Sequence, residues 1–557
     1  MSVQFPWLKN YPKHVSETIG QLDHTSLSEL FTSAAARYGD KVAYENMGVS
    51  LTFNEVERLS DAFAAYLQQT LKLKKGERIA IQMPNLLQFP IAFIGSLKAG
   101  LIVVNTNPLY TPREMEHQFR DAGISAIVIV ENFAASLQAI REKVPAKHII
   151  VTSMGDMLGL KGLLVNFVVR KIKKLVPEFS LHGSISFNEV LSKGLKQSLS
   201  KPDINLEDIA VLQYTGGTTG ISKGAQLSHR NLIAHNLMIS SWFKPYLEKG
   251  RADIMITALP LYHIFALTVN GVLMYYSGVK NVLITNPRDI PGFIKELRKH
   301  KFTILTGVNT LFNGLLNNPE FAKCDFSSLH GAIGGGMAVQ DAVAQKWKQV
   351  TGKPLVEGYG LSETSPVVCC NPLDGNERMG TIGIPVPSTE VAIFDDNGNQ
   401  LAGKETGEIC VRGPQVMRGY WEKDNTGVFF GEWFRTGDIG FMDEDGFFRI
   451  VDRKKDMIKV SGFNVFPNEI ENVLAGNPKV LEVAAIGIPD EKSGETIKVF
   501  IVKKDAALTE AEVREFCHQN LTNYKVPKFI EFKKELPKSN VGKILRRELK
   551  EAETKKS

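Results

Sequence analysis

The run Tyr214-Thr-Gly-Gly-Thr-Thr-Gly-Ile-Ser-Lys-Gly224 gathers hydroxyls, glycines and one lysine into a single short segment. Glycine lets a backbone approach an anion closely and turn its N–H groups toward it. Threonine hydroxyls donate to phosphate or ligate Mg²⁺. Lys223 adds a mobile positive charge. Ile209-Ala-Val-Leu-Gln213, just before it, reads as a buried strand. The run is therefore a candidate phosphate cradle at a strand end. It is not a Walker loop, because Lys223 lies three residues past Gly220 and is followed by Gly224. A flexible surface loop is the competing reading.

Glu357-Gly-Tyr-Gly-Leu-Ser-Glu-Thr-Ser365 is the second block. Glycines flank an aromatic, as where a backbone meets a flat base. Glu363 offers a hard oxygen ligand suited to Mg²⁺ on ATP phosphates. The plainer alternative is a strand-to-helix turn with Ser362 as N-cap. Further blocks are Pro260-Leu-Tyr-His-Ile-Phe265, Phe434-Arg-Thr-Gly-Asp438, Asp452-Arg-Lys-Lys-Asp-Met-Ile-Lys-Val-Ser-Gly-Phe-Asn464 and Pro537-Lys-Ser-Asn-Val-Gly-Lys543. Alone, Lys543 reads as a solvated surface charge and His263 as a satisfied core histidine.

Elements of two kinds must position these blocks. Helical patterns alternate with β-branched runs such as Arg78-Ile-Ala-Ile-Gln82 and Ile124-Ser-Ala-Ile-Val-Ile-Val130. The alternation returns between Asp253 and Pro354, which predicts parallel sheets with helices on both faces. From about Pro366 to Ile450, glycine-punctuated short strands predict a small β-barrel or β-roll. The last hundred or so residues alternate again and end in the basic helix 543–550. The expected fold is α/β: a large N-terminal region (1–452) of two doubly wound βα subdomains plus the barrel, a hinge at 453–457, and a small mobile α+β domain over 458–557.

With 557 residues the chain is long enough for several domains, and 43% hydrophobic content fits a globular enzyme. A net charge of +6 and no nucleic-acid motif argue against nucleic acid as a partner. Five cysteines, without metal-site spacing, point to free thiols in a reducing compartment, and the sequon at Asn520 is expected to be idle. No signal-peptide core and no membrane-spanning apolar run are found; Lys98 and Gly100 break the best candidate at 91–104, which reads as a buried helix followed by a strand. The expected location is cytoplasmic.

The order of the blocks resembles the adenylate-forming superfamily, from about Leu27 to Leu549. Gly216 stands where members often carry serine. The variant around Lys459-Val-Ser-Gly-Phe-Asn-Val-Phe-Pro-Asn-Glu469 and the ending Lys543-Ile-Leu-Arg-Arg-Glu-Leu549 are most similar to bacterial long-chain-fatty-acid–CoA ligases. The resemblance implies ATP, coenzyme A and a fatty acid as substrates, Mg²⁺ as cofactor, and an acyl-AMP intermediate. It implies that Thr215, Gly217, Thr218, Thr219 and Lys223 hold phosphates, with Thr218 and Glu363 on the metal. Gly334, Gly335, Gly358 and Tyr359 would sandwich adenine, Asp438 and Arg453 would hold the ribose, and Ser362 would sit near the α-phosphate. Glu357 and Lys459 join the nucleotide set. Lys543 would bridge carboxylate and α-phosphate. His263 would line the acyl site and gate the thiol path. Lys455 would be the hinge, and Ser461 and Gly462 would shape the coenzyme A channel after rotation.

Alternatives stay open at this point. They are an aryl- or medium-chain-acid–CoA ligase, a fatty-acyl-AMP ligase loading a carrier protein in trans, and a non-catalytic nucleotide-binding or membrane-interaction protein. A homodimer is compatible with the chain. Residues 161–179 place Leu163, Leu164, Phe167, Val168, Ile172 and Leu175 on one helical stripe beside Lys161, Arg170, Lys171, Lys173 and Lys174. Such a helix suits reversible association with the inner face of the plasma membrane. The competing reading packs that stripe on a sheet.

Overall fold

Runs such as Ala126–Val130 are apolar at every position and buried at every position. A strand with both faces covered needs helices on both sides, which parallel sheets provide. The computed structural model describes residues 5–215, 222–247, 252–539 and 541–555, and it contains two such sheets. The first runs in the order Ile185–Ser186, His148–Thr152, Ala126–Val130, Arg78–Gln82, Ile102–Asn105, Ile209–Thr215, Lys223–Ser228. All neighbours are parallel except the last pair, which is an antiparallel hairpin. The segment 91–104 falls within the helix Gln88–Lys98 and the strand Ile102–Asn105, and every residue of that helix is buried. Lys98 is accommodated there by ion pairs to Glu57 and Asp61.

The second sheet has nine strands, parallel from Leu355–Gly360 through Gly331–Gly334, Ile304–Gly307, Ile254–Thr257 and Lys280–Leu283 to Val42–Asn46. Antiparallel strands finish both edges. The two sheets share one large apolar core.

The expected barrel is instead an open five-stranded antiparallel sheet. Glu390–Phe394 pairs Gly407–Arg412, which pairs Trp433–Met442. The far side of Trp433–Met442 is divided: Phe429–Phe430 takes its start and Phe448–Arg453 takes its end. Two short partners on one long strand make the sheet fork, whereas closure needs the two edge strands to bond to each other.

The last hundred residues form a separate sheet of Phe463–Val465, Ile458–Val460, Gly494–Lys503, Val480–Asp490 and Phe529–Lys533, packed by Pro467–Ala475, Glu510–Asn520 and Arg546–Thr554 around their own apolar clusters. Residues 454–457 link Phe448–Arg453 of the large body to Ile458–Val460 of the small one. Among the described residues no helix is long and apolar enough to cross a membrane. The five cysteines are unpaired and buried.

Candidate active site

The strands flanking the glycine–threonine run, Ile209–Thr215 and Lys223–Ser228, pair antiparallel with Thr215 opposite Lys223. Gly217, Thr218 and Thr219 lie outside the described residues, as do Gly216, Gly220 and Ile221. The stem is braced from behind. Tyr214 donates its hydroxyl to Asp121 at 2.7 Å, and Lys423 pairs with the same carboxylate. Gly224 is required by close approach, since a Cβ there would lie 2.9 Å from the Tyr214 ring. Thr215, Ser222 and Lys223 face a cleft of about 2240 Å³ between the large and small bodies.

Parallel pairing of Gly331–Gly334 with Leu355–Gly360 brings two glycine-rich strand ends side by side. A Cβ on Gly335 would come within 3.1 Å of the Gly358 carbonyl oxygen, so the slot between them stays thin. Gly335, Gly358, Tyr359 and Ser362 line the cleft as expected, and Gly336 and Met337 join them. Gly334 does not. It is buried within its strand, where a Cβ would strike Val339 at 2.5 Å. Its glycine serves packing, and the opening begins one residue later. Glu357 accepts from the Val339 N–H at 3.3 Å, and burial pushes its carboxyl up to about 8.

Asp438 and Arg453 are cross-strand partners. The Asp438 carboxylate, buried, receives the Tyr359 hydroxyl at 2.6 Å and the Arg453 Nε at 3.1 Å. Burial and the neighbouring Asp438 charge hold the Tyr359 phenol far above its ordinary value. A carboxylate has about four acceptor positions, so Asp438 retains capacity for hydroxyls entering the cleft.

Glu363 sits in the turn Ser362–Thr364, which ends with Ser365 in the left-handed region. Its Oε1 accepts from the Tyr420 hydroxyl at 2.7 Å and from Thr215 at 3.5 Å. Tyr420 is a residue that motif reading missed. It arrives on a segment that extends the first sheet: Gln226 N–H donates to Gly419, and Trp421 N–H to Gly224. The Lys223 ammonium stands 5.2 Å from the Tyr420 ring centroid. The pair Tyr420-Trp421 following Gly419 was a visible signal, but nothing local tied it to the phosphate run.

Lys543 reaches into the cleft from the small body. A Cβ on Gly336 would lie 3.6 Å from its Nζ. Its loop is fixed by Lys543 N–H to Ser539 Oγ and by Thr310 Oγ1 to the Gly542 carbonyl at 2.8 Å, and Gly542 itself has φ +85°. Desolvation, then the Arg453 charge, pull the ammonium down to about 8 against the opposing pull of Asp438 and Glu363. His263 lines the same cleft, and burial, then Lys543, push it down to about 3. Phe265 N–H donates to its Nδ1 at 3.4 Å, which leaves the proton on Nε2. His263 is thus a neutral donor at neutral pH. Beyond it the wall is apolar, with Ile239, Trp242, Phe243 and Val269. Trp242 is anchored by Nε1 to the Asn371 carbonyl at 3.0 Å.

Besides Gly334, three expected residues lie outside the cleft. Lys459 is exposed on Ile458–Val460, and Ser461 and Gly462 form the exposed turn to Phe463–Val465 with φ +50° and +86°. All three face away because the small body presents its other end, carrying Lys543, to the cleft. Lys455 lies exposed on the rim.

Residues 31–421 match the family model of the AMP-binding enzymes, and residues 469–543 match that of the AMP-binding enzyme C-terminal domain. The chain is 56% identical over 548 residues to a long-chain-fatty-acid–CoA ligase of Escherichia coli O157:H7, covering 98% of each chain. It is 57% identical over 552 residues to one of Yersinia pestis, covering 99% of this chain and 98% of that protein. Among solved structures, it resembles an anthranilate CoA ligase in complex with anthranoyl-AMP, with a TM-score of 0.84 at 26% identity, covering 96% of this chain and 98% of that one.

Proposed function

The chain belongs to the AMP-binding enzyme family, and from that premise we propose that it activates long-chain fatty acids to acyl-CoA in two steps. In the first, the acid carboxylate attacks the α-phosphorus of ATP, forming acyl-AMP and releasing pyrophosphate. In the second, the thiol of coenzyme A attacks the acyl carbon and AMP departs. The observation that carries this reading is Lys543, delivered by the small body into a cleft already holding Glu363, Asp438 and Arg453. Phosphoryl chemistry of this kind asks for positioning and for cations near the developing charge. Lys543 supplies charge at the α-phosphate, Lys223 at the outer phosphates, and Asp438 accepts from the ribose. The Gly335–Gly358 slot takes the base. The apolar wall around Trp242 supports a hydrocarbon acid, and neutral His263 lines its carboxyl end.

Mg²⁺ fits the donors present. Glu363 is a buried carboxylate held by hydroxyls, with no ion-pair partner among the described residues. One carboxylate plus substrate phosphates is the usual Mg²⁺ arrangement. Glu363, with Thr218, would hold the ion, which would neutralise phosphate charge.

Lys459, Ser461 and Gly462 face solvent in this arrangement. Their proposed part comes in the second step, after the small body turns about Lys455 and presents that face to the pantetheine channel. The test is AMP formation with coenzyme A across medium-chain to long-chain saturated acids, together with Lys543→Ala. The variant should lose about 10²–10³-fold in acyl-AMP formation while thioester formation from supplied acyl-AMP persists. Equal loss in both would overturn the role of Lys543. A preference for aryl or medium-chain acids, or indifference to coenzyme A, would overturn the substrate reading.

The same reading includes reversible docking on an anionic membrane. The helix Gly159–Phe167 continues as a π-helical turn, Val168–Ile172. Gly162 and Val169 face the protein, and the apolar stripe faces solvent, with Leu163 71% and Leu164 65% exposed. Phe167, Ile172 and Leu175 are exposed beside them, and Val168 is half-buried. Two of the five basic residues are engaged elsewhere: Arg170 pairs with Glu131, and Lys161 donates to the Met47 carbonyl. Lys171, Lys173 and Lys174 are exposed without an ion pair among the described residues. Three such charges contribute about 1 kcal/mol each at an anionic surface. Flotation with anionic vesicles tests it: changing Lys171, Lys173 and Lys174 to Glu should abolish binding, and flotation equal to wild type would overturn it.

A further inference from the structure

Among the described residues, the two bodies meet through several hydrogen bonds and a buried ion pair. The hydrogen bonds are Thr310 to the Gly542 carbonyl, Asn313 to the Leu481 carbonyl at 2.9 Å, Asn472 to Asp341 at 3.1 Å, and Arg288 to the Ser539 carbonyl. The ion pair joins Asp452 to Arg546 at 3.2 Å, with side chains 1% and 16% exposed. Asp452 belongs to the large body, because Phe448–Arg453 places it opposite Ile439. Its Oδ1 takes Arg546 Nη1 and the Arg453 N–H, and its Oδ2 takes the Asn468 N–H at 2.8 Å. Asn468 lies in the first turn of the helix Pro467–Ala475, and Arg546 opens the helix Arg546–Thr554 three residues after Lys543. One carboxylate thus grips both helices of the small body that face the cleft.

We infer that Asp452 is the positioning residue that seats Lys543, acting through Arg546 and Asn468; this rests on the adenylation role proposed above for Lys543. The asymmetry of the network supports it. Arg546 also holds Glu471 through Nε at 2.9 Å and Nη2 at 2.6 Å, and Glu471 lies within the small body. If the small body moves away, Arg546 keeps Glu471, whereas Asp452 stays behind and loses two donors. Asp452 therefore contributes to the seated arrangement and to no other, and only such a differential contact shifts an equilibrium between arrangements. Asparagine at 452 would turn an N–H₂ group toward either the Asn468 N–H or Arg546, both of which are donors.

Asp452→Asn should slow fatty-acid-dependent ATP–pyrophosphate exchange by at least about tenfold, the scale of one charge-assisted hydrogen bond. Thioester formation from supplied acyl-AMP should hold or rise. A fall in both half-reactions together would mean a merely structural role and would overturn the inference. Rescue provides the second measurement. Asp341→Cys and Asn472→Cys, bridged by a short bifunctional maleimide, pin the bodies as seen here; the native cysteines are all buried. Bridging should restore exchange in the Asp452→Asn background to that of the bridged parent, and failure to restore it would also overturn the inference. Loss of exchange in Lys543→Ala without loss in Asp452→Asn sinks this inference alone. No fatty-acid-dependent exchange in wild type sinks the functional reading beneath it.

Discussion

Raising the pH from 7 to 9 should slow acyl-AMP formation about tenfold. In the role proposed for it, Lys543 must be charged to stabilise the α-phosphate, and burial beside Arg453 brings it down to about 8. About nine-tenths of it is then charged at pH 7 and about one-tenth at pH 9, so kcat/KM should fall about tenfold between them, the limb approaching unit slope only above pH 9. Bound ATP adds negative charge beside the ammonium, so the limb in kcat should lie at higher pH than the limb in kcat/KM. The assay is acid-dependent exchange of labelled pyrophosphate into ATP, at constant ionic strength. Glu357 titrates in the same window, so two variants assign the limb. Lys543→Arg keeps its charge at every pH tested and should flatten whatever activity remains. Glu357→Gln should leave the limb in place. A flat wild-type profile through pH 9, or an unchanged limb in Lys543→Arg, would refute the reasoning.

Lys455→Pro should spare acyl-AMP formation and impair thioester formation, because proline fixes φ; wild-type rates in both half-reactions would put the turning point elsewhere. Tyr420→Phe removes the hydroxyl that holds Glu363 Oε1 and should lower kcat/KM for ATP in adenylation about 10- to 100-fold; an unchanged value would free Glu363 from this support. Glu357 carries a raised carboxyl, at about 8 against an ordinary 4.5. Folded protein keeps a proton there that unfolded chain has already lost, so this group's contribution to stability falls as pH rises through that window. Measured Tm of wild type relative to Glu357→Gln should therefore drop from pH 5 to pH 8, and a constant difference would contradict it.

Both parallel sheets were legible because fully apolar runs such as Ala126–Val130 announce burial on two faces. The barrel was not, since closure depends on which distant strands pair, and Trp433–Met442 divides one side between two partners. Site residues within a contiguous block, such as Thr215, Lys223 and Glu363, could be read from type and spacing. Tyr420 and Asp121 could not, because sheet topology alone brings them to the phosphate run. Of the two glycines read from the block, Gly335 lines the cleft and Gly334 packs against Val339, a distinction that type and spacing do not carry. The stripe at 163–175 was legible as apolar, but its exposure was decided by Gly162 and Val169 turning inward. Arg170 could not be foreseen as spoken for, because its partner Glu131 comes from another element.

The exposed helix Gly159–Phe167 belongs to the large body, bonded to Gly155, Asp156, Met47 and, through the turn that follows it, Glu131. Among the described residues no hydrogen bond or ion pair joins 159–175 to the small body. A lipid-bound molecule would therefore be moored by its stationary part, with the swinging part free in water. Mooring and turnover would then be mechanically independent, and each cycle could run without release from the surface. Vesicles would change how quickly the hydrocarbon acid arrives and leave the rate of the swing as it is in solution.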